Sequence, residues 1–290
     1  MRRACIDIGS NTTRLLVADC AQGRIVHVHQ ERVFSHIGRG LPPGGSIDAD
    51  KIAEVACVVV EQLKTAQRLG CDDVRAVATA AIRRSRSGAE LATAVRDACG
   101  LEVRILTWEE EARLAFVGAA STFGHVPDGE LGVVDVGGGS SELVVGSVPD
   151  RISWSVSFAL GSGDLSRAYL RSDPPSPAEL AAAADKVRTT LGEVEVPHPV
   201  EAVAVGGSAA SLTLMAGSTL DAAAFKRSLG ELAAAPAREI ARRFGLDIER
   251  VRLMPAGLLI LQVASELFGA PLKVAGGGLR EGVLLEDSVG

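Results

Sequence analysis

Aromatic residues make up only 3% of this 290-residue chain, so its cores must be built mainly from Ala, Val, Leu and Ile. The five cysteines, Cys5, Cys20, Cys57, Cys71 and Cys99, are scattered without a C-x-x-C pair. That pattern argues against a zinc site or a disulfide framework and for reduced thiols in a cytoplasmic setting. Asp7 interrupts the N-terminal stretch before a signal-peptide core can form, and no run is expected to reach the roughly 18 to 20 apolar residues of a membrane span. The net charge of −6 argues against a nucleic-acid coat, which is usually basic. Local arginines can still hold a polyanion in an acidic protein. The five histidines, His27, His29, His36, His125 and His198, show no metal-ligand spacing on a helix and read as structural or surface residues. Neither a Walker A sequence nor a G-x-S-x-G elbow occurs.

Glycine, by contrast, is plentiful at 32 residues, and much of it lies in tight clusters that a linker would not explain. The first cluster belongs to an internal repeat. Ile6-Asp7-Ile8-Gly9-Ser10-Asn11-Thr12-Thr13-Arg14-Leu15 aligns without a gap on Val134-Asp135-Val136-Gly137-Gly138-Gly139-Ser140-Ser141-Glu142-Leu143, 128 residues later. Each copy is an apolar strand ending in Asp, a Gly/Ser/Thr turn and a second apolar strand, which is a hairpin pattern. Two copies at nearly half the chain length imply duplicated domains, and 290 residues suit two. The boundary is expected in the turn-rich stretch 123–129, giving domains 1–124 and 125–290, with the last helix packing back on the first. Elsewhere strands are expected at 74–78, 103–106, 202–205 and 272–275. Helices are expected at 50–69, 88–99, 109–121, 165–170, 177–191, 222–234, 236–244, 256–268 and after Gly278. The alternation predicts an α/β fold.

The turns carry chemistry. Glycines let the backbone approach a ligand closely, and successive N–H groups make a nest for anions. Ser10, Asn11, Thr12, Ser140 and Ser141 add donors. The Asp ending each strand, Asp7 or Asp135, can hold a divalent cation directly or through water. A third loop, Gly206-Gly207-Ser208, sits between a strand and a helix, where a phosphate would meet the helix N-terminus. Glu109, Glu110 and Glu111 open a helix. Successive acids point about 100° apart, so at most two can face a cleft, and one Glu near phosphate can serve as general base on water. Arg83, Arg84 and Arg86 follow a strand, as either a solvated basic loop or guanidinium contacts to phosphate.

The ordered set Asp-Ile-Gly-Ser-Asn-Thr, Thr-x-Ala-x-Arg, Glu-Glu-Ala-Arg, Asp-x-Gly-Gly-Gly-Ser-x-Glu, Gly-Gly-Ser and Gly-Leu-Arg-Glu-Gly resembles the exopolyphosphatase / guanosine pentaphosphate phosphohydrolase (Ppx/GppA) family, in its short two-domain form. The resemblance runs from residue 5 to residue 285. It implies two ribonuclease-H-like domains of the actin, sugar kinase and chaperone ATPase superfamily, with the active site in the cleft between them. It implies Glu111 as the catalytic base and Asp135 and Glu142 as the metal acids, with Asp7 a weaker candidate. Phosphate binding falls on Gly9, Ser10, Asn11, Thr12, Arg83, Gly137, Gly138, Gly139, Ser140, Gly207 and Ser208. The implied cofactor is Mg²⁺ or another divalent cation, with K⁺ as a further cation. The implied partners are inorganic polyphosphate or pppGpp and a second copy of the chain as a homodimer, with no nucleic acid and no membrane. Departures occur at Thr107-Trp108 (usually Ser-Gly), Ala80 (usually Ser), Ser87 (commonly Asn) and Asp164 (often Arg). The expected reaction is release of orthophosphate from the end of polyphosphate. Hydrolysis of pppGpp, a binding regulator with little catalysis and a sugar or acetate kinase are the alternatives.

Overall fold

The computed structural model describes residues 1–21, 23–42 and 44–286. It divides into two compact units, Met1–Thr122 with Gly277–Gly290, and Phe123–Gly276.

The first unit opens with a three-strand antiparallel meander, β1 (Arg2–Ile8), β2 (Thr13–Ala21) and β3 (Arg24–Val33). Helix α1 (Ala49–Arg68) follows, then β4 (Asp73–Ala78), short α2 (Ala80–Arg84), α3 (Gly88–Cys99), β5 (Val103–Ile105) and α4 (Trp108–Thr122). β4 joins β1 in parallel and β5 joins β4 in parallel, so the sheet order is β3-β2-β1-β4-β5. Because side chains alternate across a strand, β1 and β2 feed two cores. Ala4, Ile6, Ile8, Leu15 and Val17 pack with Val55 and Val59 of α1 and Leu91 and Val95 of α3. Cys5, Leu16, Ala18 and Cys20 pack on the opposite face with Leu114 of α4. Burial on both faces explains why β1 reads as a nearly continuous apolar run.

The second unit repeats this plan. The meander is β6 (Leu131–Val136), β7 (Ser141–Ser147) and β8 (Arg151–Phe158), followed by α5 (Ser162–Tyr169), α6 (Pro177–Leu191), β9 (Glu201–Val205) and α7 (Gly206–Ala216). Then come β10 (Thr219–Leu220), α8 (Ala222–Ala234), α9 (Ala237–Phe244), α10 (Ile248–Phe268) and β11 (Leu272–Val274). Its sheet runs β10-β11-β9-β6-β7-β8. With β10 set aside, the strands have the order and directions of the first sheet. Even the irregularities agree: the second and third strands slip register after Val17 in one unit and after Val145 in the other, again 128 residues apart. Each unit therefore has the ribonuclease-H-like topology. The chain ends in α11 (Leu279–Leu285), which belongs to the first unit, where Leu279, Val283 and Leu284 complete the core beside α4.

Three local expectations are corrected. The second hairpin continues into a third strand, β8, at 151–158. Residues 80–84, for which a solvated basic loop is one of the two readings, form α2. The helix expected at 256–268 begins at Ile248 and contains Pro255. An interior proline costs about 3 kcal/mol, but Val251, Met254, Ala256, Leu258, Ile260 and Leu261 are all buried around it, and that packing holds the helix continuous. The longer helix is also apolar and long enough to cross a membrane by composition, contrary to expectation, although 67% of its most apolar window is buried within the protein.

Candidate active site

The two repeated turns close in the same way. Gly9 N–H donates to Thr12 O at 3.0 Å, and Gly137 N–H donates to Ser140 O at 3.0 Å. What surrounds each turn determines which way its amides face. In the first, the Ser10 and Asn11 carbonyls accept from Gly38 N (2.7 Å) and His36 N (3.0 Å), both in the segment after β3. In the second, the Gly137 carbonyl accepts from Ser162 N (2.9 Å), and the Gly138 carbonyl accepts from Gly163 N (3.0 Å) and Asp164 N (3.1 Å), at the N-terminus of α5. In a planar trans peptide the C=O and the following N–H point in opposite directions. The N–H groups of Asn11 and Thr12, and those of Gly138 and Gly139, are therefore aimed away from their supports. Each turn thus presents consecutive main-chain donors, the arrangement that binds anions. The side chains play supporting parts: Ser10 Oγ accepts from Ala81 N at the start of α2 (3.2 Å), and Ser10, Thr12 and Ser140 are buried.

Beside the second turn, Asp135 and Glu142 sit directly opposite each other on β6 and β7. Glu142 is buried and accepts from Ser157 Oγ at 2.8 Å. Like charges facing each other across a strand pair repel, and a divalent cation between carboxylates turns that repulsion into attraction. Asp7, at the matching place in the first unit, faces Arg14 instead. One of its oxygens takes the Arg14 guanidinium at 2.6 Å, and the other is buried without a hydrogen-bond partner among the described residues. No three His, Cys, Asp or Glu side chains among the described residues converge as a ligand set. A cation here would draw most of its ligands from water and phosphate, as Mg²⁺ does.

The third loop enters α7 at the same end of the second sheet. Gly206 takes φ +87°, and a Cβ on it would lie 2.5 Å from Asp135 Oδ1. Glycine here combines a left-handed backbone with close approach to the carboxylate. Gly207 lies against the buried guanidinium of Arg250, whose nitrogens would be 2.6 and 2.7 Å from a Cβ there. Ser208 is buried, and its side chain packs against Gly257 of α10. What this loop offers an anion is therefore its main-chain N–H groups at the helix N-terminus.

The three acids of α4 separate cleanly. Glu110 caps the helix: its Oε2 accepts from Thr107 N (2.8 Å), while Thr107 Oγ1 accepts from Glu110 N (3.2 Å), a capping box. Glu109 is exposed. Glu111 is buried at 6% exposure. Its Oε2 takes Nη1 of Arg83 at 2.7 Å, and the same guanidinium donates to the Leu106 carbonyl at 2.9 Å. Arg83, expected on phosphate, is thus seated on Glu111 within the first unit. A buried carboxylate held in a fixed position at a helix N-terminus can take a proton from water. Of the departures, Ser87 is buried and brackets Ile47 through its Oγ, accepting from Ile47 N at 2.7 Å, and Asp164 pairs with Arg167 on its own helix.

Sequence reasoning missed Arg14, His36 and Arg250. Arg14 follows the first turn closely enough to be noticed. Arg250 and His36 are brought in by tertiary contacts and carry no local signal.

The profile of the Ppx/GppA phosphatase family matches residues 16–289. Exopolyphosphatase 1 of Mycobacterium tuberculosis is 27% identical over 303 residues, covering 98% of this chain and 88% of that protein. Exopolyphosphatase 2 of the same organism is 31% identical over 242 residues, covering 78% and 75%. The crystal structure of the Aquifex aeolicus Ppx/GppA family member superposes with a TM-score of 0.83 at 29% identity, over 100% of this chain and 98% of that one. An exopolyphosphatase from Cytophaga hutchinsonii shares the fold, with a TM-score of 0.87 at 21% identity, covering 100% and 99%.

Proposed function

Because the chain belongs to the Ppx/GppA phosphatase family and is a phosphoric anhydride hydrolase, we propose that it is an exopolyphosphatase releasing orthophosphate from the end of inorganic polyphosphate, with Glu111 as general base. The observation that carries the mechanism is the burial of Glu111 with its Oε2 fixed by Arg83. The substrate reading draws support from the exopolyphosphatases among the relatives and from three loops that offer main-chain donors to anions.

In this reading the N–H groups of Asn11, Thr12, Gly138 and Gly139, with the N-terminus of α7, hold phosphoryl oxygens. Asp135 and Glu142 would hold Mg²⁺, with Asp7 a lesser candidate, and the ion would supply charge neutralisation for phosphate. Glu111 orients a water and takes its proton. The water oxygen bonds to the terminal phosphorus, the bridging P–O bond breaks, and the shortened chain leaves with the bonding electrons. Phosphoryl transfer of this kind depends on positioning and charge stabilisation rather than on covalent chemistry by the protein. Orthophosphate release from short polyphosphate, long polyphosphate, pppGpp and ATP, measured in parallel with Mg²⁺, tests the reading. Highest kcat/KM on polyphosphate supports it. Highest kcat/KM on pppGpp replaces the substrate, and no release from any of them rejects the activity.

A further inference from the structure

His36 is the only non-glycine residue with positive φ among the described residues, at 51°. A non-glycine side chain held in the left-handed region is a strain that persists where the surroundings enforce it, commonly at ligand-binding segments. Here the enforcement comes from the first turn. His36 N donates to Asn11 O at 3.0 Å, and His36 Nδ1 lies 2.9 Å from Asn11 Oδ1. On either side of it, Thr13 Oγ1 and Ser35 Oγ share a hydrogen bond of 2.5 Å, and Gly38 N reaches Ser10 O. The ring stacks on Phe34 at 5.7 Å between centroids. His36 is thus tied by main chain and side chain to the residue at the tip of the turn.

We propose that His36 is a positioning residue for substrate: by donating from Nδ1 to Asn11 Oδ1 it fixes the Asn11 amide so that the NH₂ end faces the bound phosphate. An amide has an acceptor end and a donor end. With its acceptor end turned to His36, Asn11 directs its donor end the other way, which suits an anion. With the amide reversed, Oδ1 would face the phosphate and repel it. The inference rests on the proposed phosphate-binding role of this turn.

Three substitutions separate this role from a structural one, because all three residues accept the left-handed conformation. Asn places a donor nitrogen where Nδ1 stands, Asp places only acceptors there, and Gly removes the contact while relieving the strain. The measurements are KM and kcat for orthophosphate release from short polyphosphate, the Kd for tripolyphosphate by calorimetry, and the thermal midpoint. For His36→Gly and His36→Asp the expected result is a rise of about tenfold in KM and Kd, the size of one lost hydrogen bond to a charged group. kcat should change by less than about threefold, and the thermal midpoint of His36→Gly should fall by only a few degrees, because relief of the left-handed strain offsets part of the lost side-chain contacts. His36→Asn should bring KM back to within about threefold of wild type. His36→Asn as impaired as His36→Asp overturns the proposal, as does an unchanged KM in His36→Gly. Asn11→Ala tells the two ideas apart. If it raises KM about tenfold while His36→Gly does not, only the positioning role fails. If it too leaves KM and Kd unchanged, the Asn11 side chain holds no phosphate and the positioning proposal fails, while the main-chain role of the turn stands or falls on orthophosphate release itself.

Discussion

Replacing Gly161 by alanine should disable the second turn from behind. Gly161 has extended backbone, with φ −118°, so alanine carries no conformational penalty of its own. Its Cβ would nevertheless overlap the Gly138 carbonyl carbon and the Gly139 nitrogen, and would fall 2.6 Å from Gly138 O. Ordinary non-bonded contacts lie near 3.5 Å, so either the turn or the start of α5 must retreat by about 1 Å. Every overlapping atom is main chain, and no flexible side chain can absorb the shift. The retreat stretches the bonds from Ser162, Gly163 and Asp164 and turns the Gly138 and Gly139 N–H groups off line. Overpacking of this kind costs about 1–3 kcal/mol of stability, and a 1 Å misplacement of a positioning group can cost about 10²-fold in rate. The expected outcome is a fall of about 10²-fold in kcat/KM for orthophosphate release, with a thermal midpoint lower by several degrees. Gly230→Ala in α8 is the control, since nothing lies within 4 Å of its Cβ. It should keep activity and gain slightly in stability. A folded Gly161→Ala protein with kcat/KM within about threefold of wild type would show that the α5 support does not set the direction of those amides.

Other outcomes follow from the charges. Asp135→Asn relieves a like-charge pair worth up to about 1 kcal/mol, so without divalent cation its thermal midpoint should equal or exceed that of wild type. Added MgCl₂ should raise the wild-type midpoint and leave the Asp135→Asn midpoint unmoved, whereas equal shifts would remove Asp135 from the cation site. Glu281 of α11 is buried, which by itself raises a carboxyl pKa. The hydrogen bond with His27, the nearby Arg280 charge and the Gly278 N–H outweigh burial and hold it below the ordinary glutamate value. A depressed carboxyl contributes stability above its unfolded pKa and loses it as pH falls through the folded one. The seating of α11 should therefore weaken only in acid below the usual glutamate range. His27→Ala should move that loss to higher pH, as read by thermal midpoints from pH 3 to 7; an identical acid profile would show that the pair contributes nothing.

The duplicated fold was legible because its signal is local and repeated. The hairpins at Asp7 and Asp135 are written in contiguous residues, and their spacing of 128 returns in the strand order and in the register slip at Val17 and Val145. Strand β8 was legible in principle, because Ile152, Trp154, Val156 and Phe158 alternate with Ser153, Ser155 and Ser157 in the period of a half-buried strand, and the two-strand hairpin pattern at 132–148 masked it. Pro255 hid the first part of α10, since local propensity ends a helix there and only tertiary burial carries it through. Among the acids of α4, the sequence limits how many can point one way. Which one is buried depends on Arg83, whose contact to Glu111 spans 28 residues. Arg250 and His36 lay beyond sequence reasoning for the same reason: their partners are at Gly207 and Asn11, across the fold.

Glu111 carries the account, and the rate of orthophosphate release by Glu111→Gln with Mg²⁺ present tests it most directly. Glutamine keeps the shape and still accepts from Arg83, but it cannot take a proton from water. General-base catalysis typically contributes about 10² to 10⁴-fold. The expected result is a loss of that size in kcat, with an unchanged circular dichroism spectrum and tripolyphosphate still bound. A folded Glu111→Gln protein that releases orthophosphate at the wild-type rate would contradict it.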